Sequence, residues 1–215
     1  MASADMLAIL SGAITTLLLS AAGILLGLPI GLGLALMRWA QTPVVNQFVM
    51  ASVSLLRATP LVTLVLLLFY ALPNAGISVG PIAAAVIALT LNTSAFNCEI
   101  WRSALIDFSR DQLDAAYSVG MSRVACLRRI VLPQIVRSSM PALISEMSQV
   151  IKVTPVLAVV GVVDVTRAAV RVGAETYEPL PPFVFALAIY LPIIYTLVRL
   201  QRWLEHRAAQ SGRFA

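Results

Sequence analysis

The side chains of this sequence that could do chemistry are few and far apart. Glu99 and Glu146 are acids in otherwise apolar surroundings, Lys152 is the one lysine, His206 the one histidine, and Cys98 and Cys126 the two thiols. Two carboxylates can form an acid–base pair, but no spacing brings Glu99 and Glu146 together. A single histidine near the chain end removes HExxH sites, His-rich metal sites and a Ser–His dyad within a membrane. Lys152 is followed by Val153, so no GK[ST] phosphate loop exists. No catalytic residue, no metal site and no cofactor are therefore assigned to this chain, and it is not expected to hydrolyse ATP or act as an enzyme on its own. Cys98 falls in an apolar run and Cys126 in a basic loop; both are read as packing residues, since the reducing side of a membrane disfavours a disulfide.

What must position these groups is a set of membrane helices. Hydrophobic residues make up 60% of the sequence and charged residues 12%, with a mean hydropathy of +0.91, well outside the range of a soluble domain. Residues 6–37, 58–98 and 179–198 carry no charge, and each run exceeds or matches the roughly 20 helical residues that cross a bilayer core. Pro73, Asn74 and Gly76 divide the second run. The expected spans lie near 8–36, 47–72, 80–101, 134–151 and 181–200, the fourth containing Arg137 and Glu146. The fold class is thus all-α and polytopic with about five spans. The runs lack the alternation that a membrane barrel would show.

Arginines set the orientation, because basic residues gather in short cytoplasmic loops. None precedes Arg38. Residues 102–137 hold Arg102, Arg110, Arg123, Arg128, Arg129 and Arg137, and the tail adds Arg199, Arg202, Arg207 and Arg213. This predicts an N-terminus outside, a C-terminus in the cytoplasm and a large cytoplasmic loop. Lys152, Arg167 and Arg171 in the 152–180 segment are matched by Asp164, Glu175 and Glu178. The net charge of +5 is accounted for by the inward loop and tail, so no nucleic-acid partner is expected. A cleaved signal peptide is not expected either, for the start carries Asp5 and an apolar stretch longer than a signal core.

Inside the large loop stands LDAAYSVGMSR, residues 113–123. Asp111 or Asp114 can serve the start of a short helix and Gly120 its stop, with a second helical piece from 122 to Pro133. Such a helix-turn-helix presents Ala115, Ala116 and Met121 as a compact knob. A solvated loop is the plainer reading of the same residues.

LDAAYSVGMSRVACLRRIVLPQIVRSSMPAL resembles the EAA loop of ATP-binding-cassette importer permeases, with Asp114, Ala115, Ala116, Gly120, Leu132 and Pro133 in its pattern and Asp114 standing for the usual Glu. TTLLLSAAGILLGLPIGLGLALMR, LLRATPLVTLVLLLFYALP, AFNCEIWRSAL and IKVTPVLAVVGVVDV are similar to segments of the polar amino acid branch, and the likeness covers roughly residues 12–207. The resemblance implies one permease domain over 1–215, with its coupling loop at about 102–133 docking on separate ABC ATPase subunits through Asp114, Ala115, Ala116, Gly120 and Met121. It implies a second permease subunit, identical or homologous, an extracytoplasmic solute-binding protein, ATP and Mg held by the ATPase, and an amino acid substrate in a bacterial cytoplasmic (inner) membrane. Val153 stands where the branch commonly has Asp and Pro155 where it has Ser, which implies weak substrate contact here or reliance on the partner permease.

Individual residues keep two readings. Glu99, Thr59, Lys152 and Thr154 are the substrate-path candidates, since charge within a span tends to face an aqueous path or the bundle interior. Glu99 could instead pair with Arg102 on the same helical face, and Lys152 could snorkel to the outer interface. Arg57 could anchor at the inner interface, and Thr59 and Pro60 could bend the second helix. Gly23, Gly27 and Gly31 are read as helix packing. A proton-coupled secondary transporter using Glu99 or Glu146, and a non-transporting scaffold, explain the spans but not the EAA pattern.

Overall fold

The computed structural model describes residues 3–40 and 42–211, with side chains to residue 207. Helix α1 (Ser3–Trp39) is uncharged between Asp5 and Arg38. Its 37 residues rise about 55 Å, enough to pass beyond both faces of a hydrocarbon core of roughly 30 Å. Helices α2 (Pro43–Ala58) and α3 (Leu61–Asn74) follow, then α4 (Pro81–Ile106). After the short α5 (Arg110–Ser118) come α6 (Arg123–Cys126), a π-helical turn (Leu127–Val131) and α7 (Leu132–Val153). A 3₁₀ segment (Thr154–Val160), α8 (Val165–Thr176) and α9 (Leu180–Ser211) complete the chain, and no strand occurs among the described residues.

The α1–α4 pair is the spine of the molecule. A Cβ on Gly23, Gly27 or Gly31 would stand 2.8 Å from the side chains of Leu89, Thr93 and Asn97 respectively, closer than carbon atoms can approach. The glycines are therefore what lets the two backbones touch, as small residues do in membrane helix pairs. Contacts advance by four residues on both helices in the same direction, so α1 and α4 run parallel. One crossing must return between them, and α2 with α3 supplies it. At 14 residues, α3 reaches only about 21 Å, too short to cross alone.

That return crossing is the span expected near 47–72, bent at the Thr59 and Pro60 that were expected to bend it. It bends by 106° between Ala58 and Leu61, where Pro60 has no N–H to donate and Thr59 turns its hydroxyl to the Leu55 carbonyl at 2.8 Å. With α1, α4, the helix through Arg123–Val160 and α9, the crossings number five among the described residues when the bent α2–α3 pair is counted as one.

Pro133 does not end a helical piece, as the sequence had implied. It occupies the first turn of α7, directly after the π turn, in which the Leu132 N–H bonds five residues back to Leu127. The widened turn relieves the proline clash with the carbonyl four residues earlier, and Arg123–Val160 continues as one long rod. At the far end Gly161, at φ +95°, reverses the chain into α8. Asp164 caps α8 by accepting from Thr166 N at 3.1 Å and Arg167 N at 2.9 Å. Thr16 of α1 accepts from Val165 N, which fixes α8 beside the N-terminal part of α1 and on the face opposite Arg38. No span was expected here, and α8 is none: it is a 12-residue helix whose apolar stripe of Val165, Ala168, Ala169 and Val172 packs on Ile9 and Ala186.

Helix α9 begins beside α8 and leads its far end to the opposite side. Far less of its apolar length is buried than of α4's. Leu187, Leu191 and Tyr195 point outward, a surface that fits lipid and would be a liability in water.

Candidate functional site

The cytoplasmic-type loop folds as the sequence implied in outline. Helix α5 follows the N-cap residue Ser109, whose side chain makes no capping bond, and has Asp111 in its first turn; Asp114 lies further along on the exposed side. Gly120, at φ +79°, ends the helix. Gly120 N donates to Tyr117 O at 2.9 Å and Met121 N to Ala116 O at 3.1 Å, the paired bonds of a Schellman stop. Its apolar partners Leu113 and Met121 turn inward onto the cluster of Trp101, Cys126 and Val131.

This geometry corrects the expected knob. Asp114, Ala115 and Gly120 are exposed, but Ala116 is 4% exposed and Met121 packs beneath it. The outward apolar surface belongs to Tyr117, Val119 and Val124, Val119 being 77% exposed. Ala115 and Ala116 are adjacent on a helix and so about 100° apart, which is why they cannot both face out.

The path candidates gather around two cavities that share Arg57, Phe96 and Glu146. The larger, 810 Å³, is also walled by Glu99, Ser103 and Gln134, and the smaller, 510 Å³, by Thr59, Asn92, Gln149, Lys152 and Val153. The Arg57 guanidinium lies 5.3 Å from the Phe96 ring centre, which holds its charge over an aromatic face inside the cavity wall. Thr59 and Lys152 thus meet Arg57 and Glu146. Thr154 does not: it is fully buried and donates to the Ile151 carbonyl at 2.9 Å, satisfying its hydroxyl within its own chain turn, and it lines neither cavity.

Glu99 has more partners than the sequence offered. Arg102 Nε donates to it at 2.7 Å, as the three-residue spacing implied, and Arg38 Nη1, 61 positions earlier, donates to its other oxygen. Arg38 was missed because nothing local links the end of α1 to α4. Glu146, Gln149 and Val153 were not grouped as site residues, although their three- and four-residue steps put them on one face of α7. Cys98 and Cys126 are free and buried, in the packing role expected.

A bundle of about five helical crossings around polar cavities, with a basic loop folded as a short helix, is the architecture of a membrane transport protein. The chain belongs to the family described as the binding-protein-dependent transport system inner membrane component, whose model matches residues 23–210; these are permease subunits of ABC importers. The nopaline transport system permease protein of Agrobacterium fabrum is 34% identical, covering 92% of this chain and 88% of its own. The probable glutamine ABC transporter permease protein of Bacillus subtilis is 32% identical, covering 91% of each. Among solved structures, an amino acid ABC transporter crystallised with histidines matches with a TM-score of 0.84 at 30% identity, over 93% of this chain and 94% of that one. An inward-facing methionine ABC transporter shares the fold at a TM-score of 0.75 and 18% identity, over 95% of this chain and 99% of that one.

Proposed function

We propose that this permease conducts a polar amino acid through the cavities around Arg57 and Glu146. The observation that supports this is the meeting of a cation and a carboxylate in one water-accessible wall: Arg57 suits a substrate carboxylate, Glu146 its ammonium group, and Asn92, Gln149 and Thr59 offer hydrogen bonds beside them. Val153 in the same wall occupies the position where the branch commonly carries Asp, so Glu146, two turns earlier on the same face, takes over the anionic role. Relatives named for nopaline, glutamine, arginine and cystine transport favour the same substrate class.

The whole chain acts as one permease unit and pairs with an identical or homologous subunit. ATP and Mg are held by two separate ATPase subunits, which dock on α5 through Asp114, Ala115 and Gly120, with Ala116 and Met121 holding the helix in place from below. An extracytoplasmic binding protein delivers the solute. The N-terminus and α8 lie outside, and the 102–137 loop and the C-terminus inside, a reading supported by the arginine distribution.

The test is uptake of labelled amino acids, together with mass spectrometry of what co-purifies with wild type and with Gly120→Asp. Uptake that follows ATP and survives an uncoupler, with an ATPase present in wild type and depleted in the variant, supports the reading. Uptake abolished by the uncoupler while ATP is held constant would instead favour the proton-coupled class.

A further inference from the structure

A third cavity, of 510 Å³, opens where α1 ends, α2 begins and α4 ends; Arg38, Trp39, Asn46, Gln47 and Arg102 line it together with apolar residues, and no acid does. Behind it Arg38 and Arg102 share the single carboxylate of Glu99. Two guanidiniums against one carboxylate leave a net positive charge. Arg38 Nε is buried and has no acceptor, so the cluster is under-supplied with anion as well as positively charged. The first turn of α2 adds its own field: Thr42 makes no side-chain cap, and Pro43 and Asn46 bring this helix end, with its partial positive charge, to the cavity.

The exposed side chains next to these lining residues are apolar. Val44, Phe48 and Ile106 are 78%, 73% and 63% exposed beside it, and Trp39, in its wall, is the residue type that sits at headgroup level. A free anion would gain nothing from these side chains. An amphiphile with an anionic head and acyl tails satisfies both parts.

We infer that this cavity binds the phosphodiester headgroup of an anionic phospholipid. Arg102, the more open of the two arginines, offers its terminal nitrogens to the phosphate oxygens, Asn46 and Gln47 donate from the side, and the tails run along Val44 and Phe48. On the orientation proposed above this lipid belongs to the cytoplasmic leaflet; the binding itself does not depend on that orientation.

The experiment counts lipids bound to the full purified chain by native mass spectrometry, using phosphatidylglycerol and phosphatidylcholine of the same acyl chains, with inorganic phosphate as competitor. Phosphatidylglycerol is expected to bind in preference. Both Arg102→Gln and Gln47→Glu are expected to reduce that preference about fivefold, the worth of one cationic contact. Gln47→Glu keeps the test decisive if Arg102→Gln fails to fold, because Gln47 is exposed and Glu matches Gln as a helix former while its charge repels a phosphate. Equal retention of both lipids, or a preference unchanged in a folded Gln47→Glu, overturns the inference. Displacement by millimolar inorganic phosphate overturns the lipid assignment in favour of a simple anion site. No leaflet exists in this assay, so its failure leaves the orientation and transport readings untouched.

Discussion

Gly27 of α1 lies directly against Thr93 of α4: a methyl group on Gly27 would come within 2.8 Å of both Thr93 Cβ and Cγ2. Gly33, six residues on in the same helix, has nothing within 4 Å of where its Cβ would be. The two glycines therefore answer the same substitution in opposite ways. Gly27→Ala is expected to destabilise the protein by about 1–3 kcal/mol through overpacking, read as a lower midpoint of thermal unfolding in detergent. Gly33→Ala, which removes only backbone freedom, is expected to leave the midpoint equal or slightly higher. Equal loss in both variants would mean that the seam is not where stability is set.

Gly120 carries a different demand, one of backbone angle. At φ +79° with nothing within 4 Å, it has space for a side chain but not a conformation for one. Gly120→Val is expected to cost about 1–2 kcal/mol of local strain, and Gly120→Asn much less, since Asn visits the left-handed region. Both variants should insert. Co-purifying ATPase should fall sharply in Gly120→Val and be largely kept in Gly120→Asn. Equal depletion in both would assign the effect to lost contact space rather than to the Schellman stop.

Arg38 and Glu99 form a pair that tolerates neither partner alone. Arg38 is 11% exposed, Glu99 21% and Arg102 33%, so removing the carboxylate leaves two guanidiniums facing each other at a cavity wall without their shared anion. Glu99→Gln is expected to cost about 1–3 kcal/mol, less than for a fully buried pair because solvent screens part of the charge. In Arg38→Gln the carboxylate keeps Arg102, so the loss is smaller. The double variant Arg38→Gln/Glu99→Gln should recover part of the deficit, and a double-mutant cycle on unfolding midpoints measures the coupling. A strictly additive cycle would deny the pair any energetic role.

These cases also mark what the sequence could and could not disclose. Uncharged runs and their lengths located α1, α4 and α9 because crossing a bilayer is a one-dimensional requirement that composition alone meets, whereas α7, which carries Arg137 and Glu146, shows no such run. The four-residue glycine step foretold close packing, since a helix repeats its face at that interval. Direction within the loop was less legible: Ala115 and Ala116 look alike in the motif, and only the turn at Gly120 decides which one faces the core. Helix α8 escaped notice because its charges are balanced and its stripe too short for a hydropathy run. The 106° bend was visible only as a proline, because the angle depends on what α3 packs against, namely α4 and the 3₁₀ segment. The Arg38–Glu99 pair depends wholly on the parallel pairing of α1 and α4, a tertiary fact with no local trace.

The sidedness of the fold can be checked with single cysteines, because both native thiols are buried and give little background. Val119 at the end of α5 is 77% exposed and Tyr177 after α8 is 91% exposed, and the parallel α1–α4 spine sets them on opposite faces of the molecule. Tyr177→Cys is expected to react with a membrane-impermeant maleimide in intact cells stripped of any outer barrier, whereas Val119→Cys should react only after the membrane is opened. The argument has a built-in control. Reversed labelling would keep the five crossings but invert the orientation read from the arginines, and with it the leaflet facing the Arg38–Arg102 cavity. Labelling of both sites from outside would break the crossing count itself, since an odd number of passages between α5 and α8 is what separates them.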